Sequence, residues 1–206
     1  MHIYAFGSVC RGEITKDSDV DLLLITDEAQ PNVDQRKFSI YSYARIEKLW
    51  NDGSPFAWHL HKESVLIYAC NEQNYLMQLK QPGKYLDGYI DCLKFYGIFL
   101  RAKEALEKPC ASVVFEFANI FLAIRNFASC YALYKDGCCI FARDSALLLG
   151  KNSIPIPIAP FDTLMQSRIL STRGIGDMPS EKKIFEVMTQ MSAIDAWFKG
   201  LLNNWN

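Results

Sequence analysis

No Cys-x-x-Cys pair occurs in this chain, and its seven cysteines (Cys10, Cys70, Cys92, Cys110, Cys130, Cys138, Cys139) are an odd number. Neither a zinc site nor a closed disulfide framework is indicated, and free thiols in a reducing compartment are expected. There is no excess of charge of either sign: 22 Lys and Arg face 23 Asp and Glu, for a formal net charge of −1. That balance argues against the broad basic surface that grips a long nucleic acid, and leaves a local nucleotide contact open. No run reaches the roughly 20 apolar residues that span a bilayer. The richest stretch, SVVFEFANIFLAI, is interrupted by Glu116 and Asn119 and reads as a buried helix. The opening MHIYAFG has no basic segment, apolar core or small-residue cleavage site, so a cytoplasmic protein without a membrane partner is expected.

What is present is a hydrophobic content of 50% in 206 residues, enough for a well-buried core. His2 to Phe6 and Val20 to Thr26 read as strands joined through Gly7-Ser8, and Gln35 to Trp50 has helical spacing. Phe56 to Leu60 and Val65 to Ala69 read as two more strands. From Tyr85 onward the period becomes helical: Tyr85 to Lys108, Ser112 to Tyr134, Phe161 to Ser171 and Pro179 to Leu202, with the proline-interrupted NSIPIPIAP as an extended connector. The expectation is an α+β protein, with a small α/β core over residues 1–80 containing a mixed sheet and an all-α helical bundle over 84–206.

The chemistry concentrates in GSVCRGEITKDSDVDLLLI, Gly7 to Ile25. In a strand, residues i and i+2 share a face, so Asp19 and Asp21 place two carboxylates side by side, while Val20 and Leu22 face away. Adjacent carboxylates repel unless a cation lies between them, and a hard oxygen-seeking ion, Mg²⁺ first, is the natural occupant, usually with phosphates. Gly7 permits a phosphate to approach the backbone, and the Ser8 hydroxyl adds a hydrogen bond. An acid pair, a metal and a phosphate-binding turn describe metal-assisted nucleotidyl transfer.

These residues resemble the signature of the DNA polymerase β-like nucleotidyltransferase superfamily: an aromatic before Gly7-Ser8, the Arg11-Gly12 pair, Ser18 ahead of Asp19-Val20-Asp21, and the aliphatic run after them. The resemblance covers about twenty residues of motif, and the helical half is similar in texture to the accessory bundle of kanamycin nucleotidyltransferase and to minimal nucleotidyltransferases. It implies Asp19 and Asp21 as metal ligands for Mg²⁺ or Mn²⁺, and Gly7, Ser8, Arg11 and Ser18 as contacts to a nucleoside triphosphate, expected to be ATP. It further implies transfer of a nucleoside monophosphate to a hydroxyl of a small molecule, a protein or an RNA end, held between core and bundle.

Members of that superfamily carry a third carboxylate on a later strand. Here PFAWHLHKESVLIY offers His59 and His61, with Glu63 at its end, and alternation along a regular strand would place all three on one face. His59 is the candidate third catalytic residue, with His61 and Glu63 as alternatives; an imidazole ligand would favour transition ions over Mg²⁺. In the bundle, Glu116, Asn119 and Asn126 form one polar stripe, and Glu116 is the candidate acceptor-binding base by resemblance to the aminoglycoside enzymes. The rival reading is a catalytically weak binding module, antitoxin-like, whose bundle docks a partner protein or a second copy.

Overall fold

The computed structural model describes residues 1–13, 20–29, 31, 33–109 and 112–205. Two compact units divide the chain, Met1–Leu86 and Asp87–Asn206. In the first, β1 (His2–Phe6) runs into a 3-10 turn, Gly7–Arg11, and β2 (Asp21–Ile25) returns antiparallel to it, with Phe6 opposite Asp21 and His2 opposite Ile25. A second 3-10 turn, Gln35–Lys37, leads to β3 (Ser39–Tyr41), which lies parallel to β2 with Ser39 beside Leu23. Helices α1 (Tyr43–Asn51) and α2 (Pro55–Glu63) precede β4 (Ser64–Ala69), and the short α3 (Tyr75–Gln78) follows. The sheet order is β3-β2-β1-β4, mixed in direction.

Two-residue periodicity sorts this sheet. His2, Tyr4 and Phe6 of β1 are buried while Ile3 and Ala5 are only partly covered. Tyr4, Phe6, Leu23 and Ile25 pack with Ile46 and Trp50 of α1, Ala57 and Leu60 of α2, and Leu76 of α3. Asp21 belongs to the row of Leu23 and Ile25, two residues beyond the core, so its carboxylate sits exposed at the rim of the helix-covered face. Tyr4 ties this core to α3: its hydroxyl donates to Asn74 Oδ1 at 3.0 Å and accepts from the Leu76 amide at 3.0 Å.

Three expectations are corrected here. The helix read over Gln35 to Trp50 begins only at Tyr43, where the Ser42 side chain caps it by accepting from the Arg45 amide; the preceding aromatic and β-branched residues instead add a strand to β2. The strand read over Phe56 to Leu60 is helix α2. Ser54 is its N-cap, accepting from the Ala57 amide at 3.2 Å, and Pro55 occupies the first turn, so Ser-Pro starts a helix as well as ending one. With it falls the shared strand face of His59, His61 and Glu63. The i, i+4 pair His59 and Glu63 comes together, while His61 points elsewhere, between the ring edges of Trp50 and Trp58.

Gly53 closes the loop between α1 and α2 at φ +62°, and a methyl group there would lie 2.2 Å from the Gly83 carbonyl oxygen. Backbone cannot yield as a side-chain tip can. Gly53→Ala is therefore expected to destabilise the unit by about 2 kcal/mol or more, lowering the melting temperature by roughly 4–8 °C. Gly137→Ala, at φ +64° with open space around it, isolates the cost of the backbone angle alone. Equal losses for the two variants in thermal unfolding would show that the contact with Gly83 contributes nothing.

The second unit is helical: α4 (Gly88–Leu106), α5 (Val113–Asp136), α6 (Ile158–Arg173), α7 (Glu181–Met188) and α8 (Met191–Asn203). The last expected helix is two, parted at Thr189-Gln190, and α6 starts inside the proline-rich segment because Pro160 falls in its first turn, where no amide hydrogen is needed. Helix α5 is long and apolar enough to cross a membrane by length and composition, yet it packs along α4 and α6 and most of its residues are buried. Aromatic rings from α4, α5 and α8 join around Phe198, which meets Phe127 at 4.8 Å and Phe99 at 5.1 Å between centroids. The Arg125 side chain donates to the carbonyls of Phe141 (2.7 Å) and Ala142 (3.4 Å), pinning the segment after α5.

Candidate active site

Where β1 ends, Gly7 adopts φ +80°, which turns the chain out of the sheet into the Gly7–Arg11 turn; Gly12, at φ +75°, closes that turn by donating to the Val9 carbonyl. Asp21 stands opposite Phe6 in the register, and its Oδ2 fills the space beside Gly7: a methyl group on Gly7 would lie 2.8 Å from it. The sequence thus brings the turn glycine and the second acid of the Asp-x-Asp pair into direct apposition. Asp19 and Ser18 lie outside the described residues.

On the other flank of β1, Phe6 faces Ser64, so Glu63 reaches the same end of the sheet as Asp21. There the Arg11 guanidinium pairs with Glu63 through one amino group and with Glu13 through the other at 2.8 Å, and His59 Nε2 lies 2.9 Å from Glu63 Oε2. Burial by itself pushes the Glu63 carboxyl up, but the hydrogen bond and charge of His59 and the Arg11 guanidinium outweigh it and hold the group below the usual carboxylate range. Burial likewise works against the Arg11 charge, and Glu13 and Glu63 together overcome it. Arg11 is therefore an anchored cation at the end of the turn. Burial pushes the neighbouring Cys10 thiol up, keeping it neutral.

The sheet position beside β2 on its open side belongs to β3, which carries Ser39-Ile40-Tyr41 and no carboxylate. Lys37 and Ser39 line one cavity with Asp21. Sequence reasoning missed both residues, because a three-residue parallel strand has no periodicity of its own to announce it. Among the described residues no group of three or more His, Cys, Asp or Glu side chains converges as a metal site. The part of the expected ion site that is described does fit a hard cation: Asp21 offers exposed carboxylate oxygen over a glycine that leaves room beside it. His59, in contrast, is engaged with Glu63 and packs edge-on against Phe6 at 5.6 Å. In the helical unit, Glu116 lies in the first turn of α5, where its Oε2 accepts from Asn119 Nδ2 at 3.3 Å.

Residues 2–86 match the family model of the nucleotidyltransferase domain, and the first unit ends at the same residue. The match assigns a nucleotidyltransferase domain to the first unit, in keeping with the Gly-Ser turn and with Asp21 at the mouth of β2. Among solved structures, that of spectinomycin adenyltransferase from Enterococcus faecialis with ATP and spectinomycin is similar at 12% identity. It covers 97% of this chain and 91% of that one, with a TM-score of 0.49. No curated protein matches the chain.

Proposed function

We propose that this protein transfers a nucleoside monophosphate from a nucleoside triphosphate, ATP first, to a hydroxyl group of an acceptor in the cytoplasm. The observation that carries the reading is the apposition of Asp21 Oδ2 and Gly7, which brings the second acid of the motif to the turn. In this reading Asp19 and Asp21 hold Mg²⁺ or Mn²⁺, which when bound supplies positive charge at the α-phosphate and lowers the barrier to its attack. The Ser8 hydroxyl and Ser18 hydrogen-bond phosphate oxygens, and Arg11, fixed by Glu13 and Glu63, presents its charge from the end of the turn. Glu63 acts through Arg11, and His59 acts through Glu63 rather than as a metal ligand. Glu116 is the carboxylate we assign to the acceptor hydroxyl, which belongs to a small molecule, a protein or an RNA end.

The test is thermal unfolding with ATP and Mg²⁺ or Mn²⁺. A ligand that binds only the folded state at a hundredfold over its Kd stabilises by about 2.7 kcal/mol, and Asp19→Ala with Asp21→Ala is expected to abolish the shift. No shift with any nucleoside triphosphate and either ion would refute nucleotide binding.

A second reading has one specific observation behind it: β3, which lies beside β2, carries Ser39-Ile40-Tyr41 and no carboxylate. It makes the domain a nucleotide-fold binding module that docks a partner protein. Label from an α-labelled triphosphate passing to a discrete acceptor in cell extract decides for the enzyme; a stable complex with a partner and no transfer decides for the module.

A further inference from the structure

Helix α4 leaves one side open to solvent. Leu86, just ahead of the helix, is 68% exposed, and within it Ile90 is 66%, Leu93 42% and Leu100 40% exposed, with Gly97 between the last two. Single exposed apolar residues are ordinary on any surface, but these five follow one another at intervals of four, three, four and three residues. That is the spacing of a seam between two paired helices, where side chains of one enter holes on the other. The opposite side of α4, with Cys92, Phe99 and Ala102, is buried in its own unit, so the seam is extra to the core. Gly97 supplies a hole in it: a methyl group there would meet only the Arg101 Nη1, at 3.6 Å.

The charges beside the seam say what the facing helix is. On one flank Tyr96 donates to Asp195 of α8 at 2.7 Å and Lys103 lies 3.7 Å from the same carboxylate, so both are engaged. The other flank carries Asp87, Lys94 and Arg101, one every seven residues, and among the described residues neither Asp87 nor Arg101 has an ion-pair partner. Acid first and base last is a self-complementary order for a copy of the same helix running the other way. We propose that the chain forms a two-fold dimer in which α4 lies antiparallel against α4 of a second copy. Leu93 then enters at the partner's Gly97, Ile90 meets the partner's Leu100, and Asp87 faces the partner's Arg101, each contact made twice. A parallel copy would leave Asp87 and Arg101 unmatched. The one unfavourable pairing is Lys94, which falls on the axis against its own copy, its ammonium over the Phe95 ring at 5.9 Å from the centroid. The dimer is independent of the nucleotidyl-transfer reading.

The experiment is sedimentation equilibrium of the full chain at concentrations from about 0.1 to 100 μM, with circular dichroism melting of every variant to show that it folds. The wild type is expected to be a dimer at the upper end. Leu93→Glu, which sets a charge in the seam, is expected to weaken the dimer about a hundredfold or more, and Phe185→Glu, a like change at an exposed ring of α7 off the seam, to leave it within about twofold. Arg101→Asp, which faces the partner's Asp87 with a like charge, is expected to weaken it about tenfold, and Asp87→Lys added to Arg101→Asp to recover most of that loss. Lys94→Ala, which removes the repulsion at the axis, is expected to tighten the dimer about threefold. A wild type that stays monomeric at the highest concentration overturns the proposal, and so does a dimer that Leu93→Glu leaves intact. A double variant that melts like the wild type and yet recovers no affinity overturns the antiparallel register.

Discussion

Gly7→Ala is expected to reduce nucleotide transfer by about a hundredfold or more while the domain still folds. Two costs act at that position. At φ +80° any residue with a Cβ is strained by about 1–2 kcal/mol, a loss of stability the unit survives. The second cost falls on the reaction: the new methyl would stand 2.8 Å from Asp21 Oδ2, so the carboxylate must move. A catalytic acid displaced by a fraction of an ångström to an ångström loses most of its effect, because its contribution depends on where it meets the phosphate. Gly12→Ala is the matched control, with φ +75° and open space around the added methyl. It is expected to show a similar fall in melting temperature with a much smaller fall in rate. If the two glycine variants transfer label equally well, the contact between Gly7 and Asp21 has no part in catalysis.

Glu63→Gln is expected to lower stability and to change how stability depends on pH. The Glu63 carboxylate is only 12% exposed and joins Arg11 and His59, so neutralising it leaves a mostly covered guanidinium short of one counter-charge. Breaking such a pair from one side costs on the order of 2 kcal/mol after allowance for its partial exposure. Because the folded state holds the Glu63 carboxyl below its ordinary range, its stabilisation is complete above the unfolded value of about 4.3 and is lost as pH falls through the lower folded value. Urea unfolding of the wild type is therefore expected to weaken as pH drops below about 4.5, and Glu63→Gln to be weaker at pH 7 with a flatter dependence over that range. The same stability at pH 7 for both proteins would mean that the Arg11 pair contributes nothing net. The variant is also expected to raise the KM for the triphosphate, through loss of Arg11 orientation, more than it lowers kcat.

How much of this was legible before folding depends on whether the information was local. The sequence by itself determined the Gly7-Ser8 turn, the strand ending in Leu23-Leu24-Ile25 with acid at its mouth, and the change of texture near residue 85. Each rests on a short-range pattern: a glycine where the chain must reverse, alternation over five residues, helical spacing over twenty. The Ser-Pro-Phe-Ala-Trp-His-Leu stretch defeated the same reasoning because alternating His and Glu imitate a strand, while the capping role of Ser54 and the burial of Ala57 and Leu60 at helical spacing carry the real signal. Tertiary structure alone decided that His59 and Glu63 meet on a helix turn and that His61 lies between two tryptophans. It also decided that Glu63 comes to the rim beside Arg11, and that Lys37 and Ser39 share a cavity with Asp21. The last of these is a pairing between strands fourteen or more residues apart, fixed by parallel register between β2 and β3. Register is set by which faces are buried against the rest of the fold, so it is written in the packing and in no single stretch of the chain.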